Sequence, residues 1–171
     1  MYQKIGYIDP DLIRALLPPI ELTLERNLMY QKIGYIDPDL IRALLPPIEL
    51  TFKPDSGYII APLPDEIAAD AKHRLGGLVP GEWLSARIIA IKPGGIIPLH
   101  MDARPYDEEK RTRYHVVLTT NPFCWNYHDE SVQHLVLGGI YTVDETLPHA
   151  SVNWGDTDRV HLVIDVASRA V

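Results

Sequence analysis

Residues Gly138–Val166, GGIYTVDETLPHASVNWGDTDRVHLVIDV, decide the fold of this chain. Three short apolar or alternating runs lie within them, and we predict strands over Gly139–Val143, His149–Asn153 and Arg159–Val166. The residues between these runs include the Gly, Pro, Asp and Asn that are typical of turns. Short strands separated by such turns indicate antiparallel sheets that fold back on themselves, as in a sandwich or a barrel.

The sequence before this stretch continues the pattern of short strands. We predict strands over Tyr30–Ile36, Ser85–Lys92, Ile96–Met101, Thr112–Thr120 and Val132–Leu137, with one more beginning within Asn121–Asn126. A charged loop is expected at Ala103–Lys110. A helix is expected within Pro62–Gly77, where acidic residues suit the first turn and two glycines end it. The chain is therefore predicted to be mainly β.

The N-terminus contains an unbroken duplication. Residues Met1–Thr23 (MYQKIGYIDPDLIRALLPPIELT) recur unchanged as Met29–Thr51, at a period of 28 residues. Each copy predicts a strand followed by a short helix, which Pro46 and Pro47 end in the second copy. Only the second copy leads directly into the rest of the chain. We therefore predict that residues 1–28 are an appendage and that residues 29–171 form a single domain.

Composition is that of a globular protein and excludes several functions. Hydrophobic residues make up 46% of the 171 residues and charged residues 23%, enough for one domain with a sizeable core. The net charge of −7 and the lack of a basic run argue against nucleic-acid binding. One cysteine, Cys124, excludes a disulfide framework, and no uncharged apolar run is long enough for a membrane span. No signal-peptide pattern is present, so a cytoplasmic location is expected.

Three residues have the types and the order of a metal site. His100 and Asp102 form an H-x-D pair, whose side chains share one side of an extended chain because side chains alternate with period two. His149 is distant in sequence and completes the set only if the sheet folds back on itself. Two histidines and a carboxylate with open positions are the ligand set of non-haem Fe(II) oxygenases. These three residues are therefore predicted to bind a divalent metal ion and to be catalytic.

Two predicted strands carry an Arg-x-His pair on one face. Arg113 and His115 point together on the first of these strands, and Arg159 and His161 point together on the last. A solvent-facing polar stripe is one interpretation of either strand alone. Together with the predicted metal ligands, the pairs favour an inward-facing pocket for an anion, since arginine forms bidentate bonds with carboxylates.

These residues resemble a known family. The segments PGGIIPLH (Pro93–His100), RYHVVL (Arg113–Leu118) and the stretch Gly138–Val166 are similar to the aspartyl/asparaginyl β-hydroxylase family of Fe(II)- and 2-oxoglutarate-dependent dioxygenases. The resemblance extends from about Ile91 to Val166. Its most specific part is an acidic turn, then H-x-x-x-N, then an arginine ten residues after the histidine, and an apolar strand that ends in Asp-Val.

The resemblance implies a fold, a reaction and a set of roles. The implied fold is a double-stranded β-helix, a cupin-like jelly roll with flanking helices. His100 and His149 are implied iron ligands, Arg159 is implied to bind the distal carboxylate of 2-oxoglutarate, and Arg113 and His115 are implied to lie in the cosubstrate pocket. The implied reaction uses Fe(II), 2-oxoglutarate and O2 to hydroxylate an amino acid or a peptide or protein side chain.

The chain departs from the family pattern at two positions. Animal members have glycine at the third ligand position, where this chain has Asp102, as in bacterial hydroxylases that act on free amino acids. The serine that assists cosubstrate binding is not evident, and Ile89 falls near its position. The substrate of the animal members is therefore not transferred, and free amino acids, peptides and proteins all remain open as substrates.

Other interpretations of the same sequence remain. One is a cupin-like module that binds a metal or an anion without oxygenase activity, and another is a metal-dependent isomerase or hydrolase on the same barrel. Asp144 and Glu145 are alternative carboxylate ligands, although a role in a turn is favoured. His128 and His134 are expected at the surface, and Asn153 is expected to orient the second metal histidine through the nearby backbone. The oligomeric state is left open.

Overall fold

The computed structural model describes residues 30–36, 56–102 and 111–167. These ranges contain ten strands and one helix: β1 (Tyr30–Tyr35), β2 (Tyr58–Pro62), α1 (Asp65–Leu75), β3 (Trp83–Ile91), β4 (Ile96–His100), β5 (Arg111–Thr119), β6 (Cys124–His128), β7 (Ser131–Gln133), β8 (Gly139–Val143), β9 (His149–Asn153) and β10 (Arg159–Ala167). The loop expected at Ala103–Lys110 and the helix expected in each N-terminal copy lie outside the described residues.

The strands form two antiparallel sheets. Neighbouring strands follow the order β1-β8-β5-β10-β3-β2 in the six-stranded sheet and β4-β9-β6-β7 in the four-stranded sheet. The eight strands from β3 to β10 are shared equally between the sheets, and the chain crosses repeatedly from one sheet to the other. Eight antiparallel strands connected in this way are the double Greek key of a jelly roll. The predicted double-stranded β-helix is therefore confirmed.

The observed elements differ from the predicted ones mainly at their ends. Strand β7 is three residues long and ends before Leu135–Leu137, the apolar residues at the end of the predicted strand Val132–Leu137. Strand β2 was not predicted from the sequence. It is a short edge strand beside β3 that ends in Pro62, and a proline in an apolar run argues against a strand unless the strand lies at an edge.

Helix α1 covers one face of the six-stranded sheet. Ala71 and Leu75 on its inner side are buried and pack in one core with Leu162 and Ile164 of β10.

No helix among residues 30–36, 56–102 and 111–167 has both the length and the apolar character to cross a bilayer. The cytoplasmic location stays a prediction.

The opposite face of β10 is buried and carries three polar side chains beside Val163. Arg159 and His161 are each 1% exposed and Asp165 is 2% exposed. Arg113 of β5 lies opposite Asp165 in the strand register and is also buried, while His115 is half-buried. Both Arg-x-His pairs therefore point into the barrel, which rules out the solvent-facing stripe, and the binding of an anion there stays a prediction.

The second N-terminal copy contributes an edge strand to the domain. Strand β1 pairs with β8, and the N–H of Ile36 donates to the carbonyl oxygen of Gly138 at 2.9 Å. The side chain of Ile36 is 2% exposed and belongs to the main core. The first copy lies outside the described residues, so its assignment as an appendage stays a prediction.

The duplication offers a matched test of that assignment, because Ile8 and Ile36 stand in identical local sequences. Ile36→Asp buries a carboxylate in the core and is expected to lower the free energy of unfolding by about 3 kcal/mol or more. Ile8→Asp is expected to change it by less than about 0.5 kcal/mol. Urea unfolding of the two variants measures both values. Similar losses in both, or a lower melting temperature for a chain that begins at Met29, would show that the first copy is packed on the domain.

Candidate metal centre

His100, Asp102 and His149 lie close together. His100 and His149 occupy facing positions on β4 and β9, and their ring centroids are 4.2 Å apart. Asp102 follows β4 by two residues, with its Oδ1 3.5 Å from Nε2 of His100. One potential ligand atom from each residue lies within 4.8 Å of the others. The side chain of His100 is 40% exposed, so the group is open to solvent on that side.

Backbone carbonyl groups orient both imidazole rings. Nδ1 of His100 donates to the carbonyl oxygen of Pro98 at 2.7 Å, and Nδ1 of His149 donates to that of Leu147 at 2.9 Å. A carbonyl oxygen only accepts hydrogen bonds, so each Nδ1 carries the proton and each Nε2 keeps a lone pair for a metal ion. Burial lowers the pKa of His149 and favours the neutral ring that metal binding requires.

Asp102 is held through both its backbone and its side chain. Its N–H donates to the carbonyl oxygen of Glu145 at 3.0 Å, so the turn before β9 places this residue. Nη1 of Arg113 donates to Oδ2, which leaves Oδ1, the oxygen that faces His100, for a metal ion. Burial alone would raise the pKa of Asp102, but the hydrogen bond and charge of Arg113 hold it below its ordinary value. The carboxylate is therefore ionised at neutral pH.

Asp165 anchors Arg113 in turn. Nε and Nη2 of Arg113 donate to the two oxygens of Asp165 at 2.7 and 3.2 Å, a bidentate arrangement that fixes the plane of the guanidinium. Oδ2 of Asp165 also accepts hydrogen bonds from Arg87 at 2.8 Å and from Ser85 at 3.1 Å. A continuous network thus runs from Asp165 through Arg113 to Asp102. No sequence pattern gives Asp165 this role, because only the strand register places it opposite Arg113.

Asp165→Asn is expected to lower the free energy of unfolding by about 3–5 kcal/mol, because it leaves the buried guanidinium of Arg113 and the half-buried one of Arg87 without their shared carboxylate. It is also expected to weaken metal binding, since Arg113 then loses the anchor through which it holds Asp102. Urea unfolding and equilibrium binding of Mn(II) measure the two effects. Asp156→Asn, which changes an exposed carboxylate, is the control and is expected to leave both unchanged. Wild-type metal affinity in Asp165→Asn would refute the anchoring role.

The ion pair between Asp165 and Arg113 also predicts how the stability of the protein depends on pH. Burial raises the pKa of Asp165, but Arg113 and Arg87 together hold it well below its ordinary value. A carboxylate with a depressed pKa in the folded protein contributes stability that is present above its unfolded pKa of about 3.9 and is lost as the pH falls below it. Wild-type protein is therefore expected to lose more of its free energy of unfolding than Asp165→Asn does between about pH 5 and pH 2, the range in which carboxylates titrate. Parallel curves of unfolding free energy against pH for the two proteins would contradict this expectation.

A cavity of about 100 Å³ joins the three predicted ligands to Arg159. His115, Ile89 and Glu145 also line it. Nη2 of Arg159 donates to the amide oxygen of Asn126 at 2.6 Å. An amide is neutral, so this contact does not cancel the positive charge of the guanidinium. The cavity therefore has a group of potential metal ligands and a buried cation among its lining residues.

The two histidines beside Arg159 are uncharged. Nδ1 of His115 lies 3.2 Å from Nδ1 of His161, and the rings meet edge to face. Burial, and after it the positive charge of Arg159, holds the pKa of both histidines well below the ordinary value. At neutral pH both rings are hydrogen-bonding groups and not additional cations, so positive charge in this region is carried by arginine.

Two expectations for polar residues are wrong. His128 was expected at the surface but is 0% exposed, on the inward face of β6, with its ring stacked at 6.0 Å on that of His149. Residues 124–128 alternate between buried and exposed, and this histidine falls on the buried side. Asn153 donates to the carbonyl oxygens of Ile91 at 2.9 Å and Thr157 at 2.8 Å, and so holds the turn before β10 instead of the backbone near His149.

The structure agrees better with the expectations for the acidic residues Asp144 and Glu145 and for His134. Oδ1 of Asp144 accepts hydrogen bonds from the N–H and the hydroxyl of Thr146 at 3.1 and 2.6 Å, which confirms a role in the turn. Glu145 is 1% exposed and its carboxylate pairs with Arg111 at 3.0 Å, outside the group of three potential ligands. His134 is half-buried, and its Nδ1 donates to the carbonyl oxygen of Cys124.

Comparison with known proteins agrees with this geometry. Residues 78–169, more than half of the chain, match the family model described as Aspartyl/Asparaginyl beta-hydroxylase. The chain belongs to this family. The matched range contains the three potential metal ligands and Arg159, which confirms the resemblance drawn from the sequence.

Two named relatives of this hydroxylase family member are proline hydroxylases. L-proline cis-4-hydroxylase of Rhizobium meliloti (strain 1021) is 37% identical over 84 residues, which are 49% of this chain and 30% of the relative. L-proline cis-3-hydroxylase 1 of Streptomyces sp. is 32% identical over 90 residues, which are 51% of this chain and 31% of the relative. The chain thus matches these relatives over about a third of their length.

Solved structures similar to this hydroxylase family member include cupin domains. The cupin domain of Schizosaccharomyces pombe Cnp3 has a TM-score of 0.48 and 11% identity, over 72% of each chain. A cupin domain from Bordetella pertussis Tohama I has a TM-score of 0.44 and 21% identity, over 66% of this chain and 96% of that one. Both TM-scores are below 0.5, so the jelly roll is assigned from the strand order given above.

Proposed function

We propose that this protein catalyses an Fe(II)- and 2-oxoglutarate-dependent hydroxylation of an amino acid or of a peptide or protein side chain. The observation that carries the proposal is one cavity lined by two imidazoles, a carboxylate and a buried arginine: His100, His149, Asp102 and Arg159. Membership of the aspartyl/asparaginyl β-hydroxylase family supports the reaction type.

The donor set fits Fe(II). Two neutral imidazoles and one ionised carboxylate are the protein ligands of non-haem Fe(II) oxygenases, which keep further positions open. Each of the three has an outer partner that orients it: the carbonyl groups of Pro98 and Leu147 for the histidines and Arg113 for Asp102. When bound, iron and its cosubstrate would supply the reaction with O2, while the protein supplies orientation and charge.

Arg159 is the proposed partner of the distal carboxylate of 2-oxoglutarate. A guanidinium buried in a region of low dielectric binds a carboxylate more strongly than one in water, and its planar fork suits paired hydrogen bonds. Neutral His115, which lines the same cavity, is proposed to supply a hydrogen bond without adding charge. Ile89 also lines the cavity and has no hydroxyl, so the contact of the missing family serine is not replaced at that position.

Arg113 is proposed to orient a metal ligand. It lines the cavity, as the resemblance implies for a cosubstrate residue, but its guanidinium is engaged by Asp165 and by Asp102. By holding Oδ2 of Asp102, it would leave a single oxygen of that carboxylate for iron. The role we propose for Arg113 is therefore to make Asp102 a ligand through one oxygen.

Among these substrates we propose a free amino acid as the first candidate, because both named relatives act on L-proline. The test is a panel of free amino acids and peptides with Fe(II), 2-oxoglutarate and O2. Formation of succinate and a substrate mass gain of one oxygen atom are the expected results. Turnover that continues without O2 would favour an isomerase or hydrolase instead. Metal binding with no succinate from any substrate would favour a cupin-like binding module.

A further inference from the structure

Asn126 links the two sheets beside the cavity. It lies on the inward face of β6 and is 1% exposed. Its Oδ1 accepts hydrogen bonds from Nη2 of Arg159 at 2.6 Å and from the hydroxyl of Ser151 at 2.9 Å. Its Nδ2 donates to the carbonyl oxygen of Gln133 at 3.4 Å. Arg159 belongs to the six-stranded sheet and the other three residues to the four-stranded sheet, so this contact crosses the barrel.

The chemistry of its neighbours fixes the orientation of the Asn126 amide. A guanidinium only donates hydrogen bonds, so the amide oxygen has to face Arg159. The carbonyl group of Gln133 only accepts, so the amide nitrogen has to face the other way. A flipped amide would set donor against donor and acceptor against acceptor. The side chain therefore has a single orientation that satisfies both ends.

An amide suits this position better than the alternatives. A carboxylate of the same shape would form an ion pair with Arg159 and would compete with any carboxylate that enters the cavity. An apolar side chain would leave the buried Nη2 without the hydrogen bond that it now makes with Asn126, at a cost for the desolvated charged donor. The amide holds the guanidinium in place and leaves its positive charge intact.

We propose that Asn126, itself held by Ser151, is a positioning residue for Arg159. It fixes the guanidinium so that the distal carboxylate of a dicarboxylic 2-oxo acid meets a donor that is already oriented and fully charged. Preorganised donors bind more tightly because the entropy of ordering is not lost at the moment of binding. The identity of the acid rests on the proposed function, whereas the hydrogen bonds to Arg159 and Ser151 do not.

The test compares two ligands that differ only at the distal carboxylate. 2-Oxoglutarate and 2-oxopentanoate have the same chain length, and the second has a methyl group in place of that carboxylate. Equilibrium binding is measured by calorimetry with Mn(II) in place of Fe(II). Wild-type protein is expected to prefer 2-oxoglutarate by about 10- to 150-fold, the range for a hydrogen-bonded charged contact. Asn126→Asp is expected to reduce this preference to less than about threefold, and Asn126→Ala to an intermediate value.

The ratio of the two affinities separates positioning from a merely structural role. Partial unfolding lowers the apparent affinity for both ligands by the same factor and leaves their ratio unchanged. A lower melting temperature alone therefore does not produce the expected result. Ser151→Ala, which removes one hydrogen bond to Asn126, is expected to reduce the ratio by only a few-fold. Asn121→Ala is the control: its amide donates to Asn153 and Thr157, so this variant is expected to be less stable with an unchanged ratio.

The outcomes distinguish this inference from the proposed function. If wild-type protein prefers 2-oxoglutarate and Asn126→Asp keeps that preference, the inference is wrong and the proposed function stands. If Asn126→Asp does not fold, Asn126→Ala is compared in the same way. If wild-type protein shows no preference, the proposed function fails, and the NMR signal of the Arg159 Nη2–H, the group that donates to Asn126, decides the positioning role. A signal protected from exchange in wild type and lost in Asn126→Ala supports it, and a signal that persists in the variant overturns it.

Discussion

His149→Ala is expected to abolish turnover and to weaken Fe(II) binding by more than the roughly 10- to 100-fold that loss of an outer hydrogen-bond partner costs. The substitution removes one of three potential ligands, whose Nε2 is aimed by the bond from Nδ1 to Leu147. The adjacent His128 does not replace it, because its Nε2 donates to the carbonyl oxygen of Asp144. His100→Ala is expected to behave in the same way.

Metal affinity and succinate formation are both measured, so that a binding defect is told apart from a defect in turnover alone. His73→Ala removes an exposed imidazole on α1 and is the control. Asp102→Ala is also expected to be severe, and it takes one of two carboxylate partners from Arg113. Iron-dependent succinate formation at the wild-type rate by His149→Ala would rule out the proposed ligand set.

The predictable part of the structure follows from local alternation. Period-two patterns place Arg159, His161 and Asp165 on one side of β10, together with Val163, and Val160, Leu162 and Ile164 on the other, whichever strands lie beside it. The jelly roll follows from many short strands joined by turns, together with the resemblance. The three potential ligands were recognisable because their residue types and order match one kind of metal site.

The H-x-D argument gives the right residues for an incomplete reason. It assumes that His100 and Asp102 lie on one continuous strand, but β4 ends at His100. Asp102 is placed by its backbone hydrogen bond to Glu145 and by Arg113 of another strand. Those contacts depend on residues that are 43 and 11 positions away (145 − 102 and 113 − 102), so no local pattern contains them.

Residues that act across strands or between sheets were not predictable for the same reason. Asp165 meets Arg113 because β5 and β10 pair in one particular register. Asn126 meets Arg159 because the two sheets face each other at that point, 33 residues apart along the chain. Register and sheet packing are determined by burial over the whole chain, since a slip of one residue would turn every side chain to the other face.

Arg159→Ala is expected to weaken binding of 2-oxoglutarate by about 1.5–3 kcal/mol, or roughly 10- to 150-fold, the value for one lost hydrogen bond to a charged group. The alanine variant also leaves Oδ1 of Asn126 without its guanidinium partner, so some loss of stability is expected as well. Arg159→Lys and Arg159→Gln separate the causes. Lysine keeps the charge and loses the planar fork, whereas glutamine keeps hydrogen-bonding capacity and loses the charge.

If charge and geometry both contribute, affinity for 2-oxoglutarate falls in the order wild type, Arg159→Lys, Arg159→Gln. Binding of 2-oxopentanoate, which lacks the distal carboxylate, is then expected to change much less than binding of 2-oxoglutarate. Arg74→Ala, which removes an exposed arginine paired with Asp70 on α1, serves as the control for loss of a positive charge from the protein. An unchanged affinity for 2-oxoglutarate in all three Arg159 variants would mean that its distal carboxylate binds elsewhere. The buried guanidinium would then be a structural link between the sheets, held by Asn126.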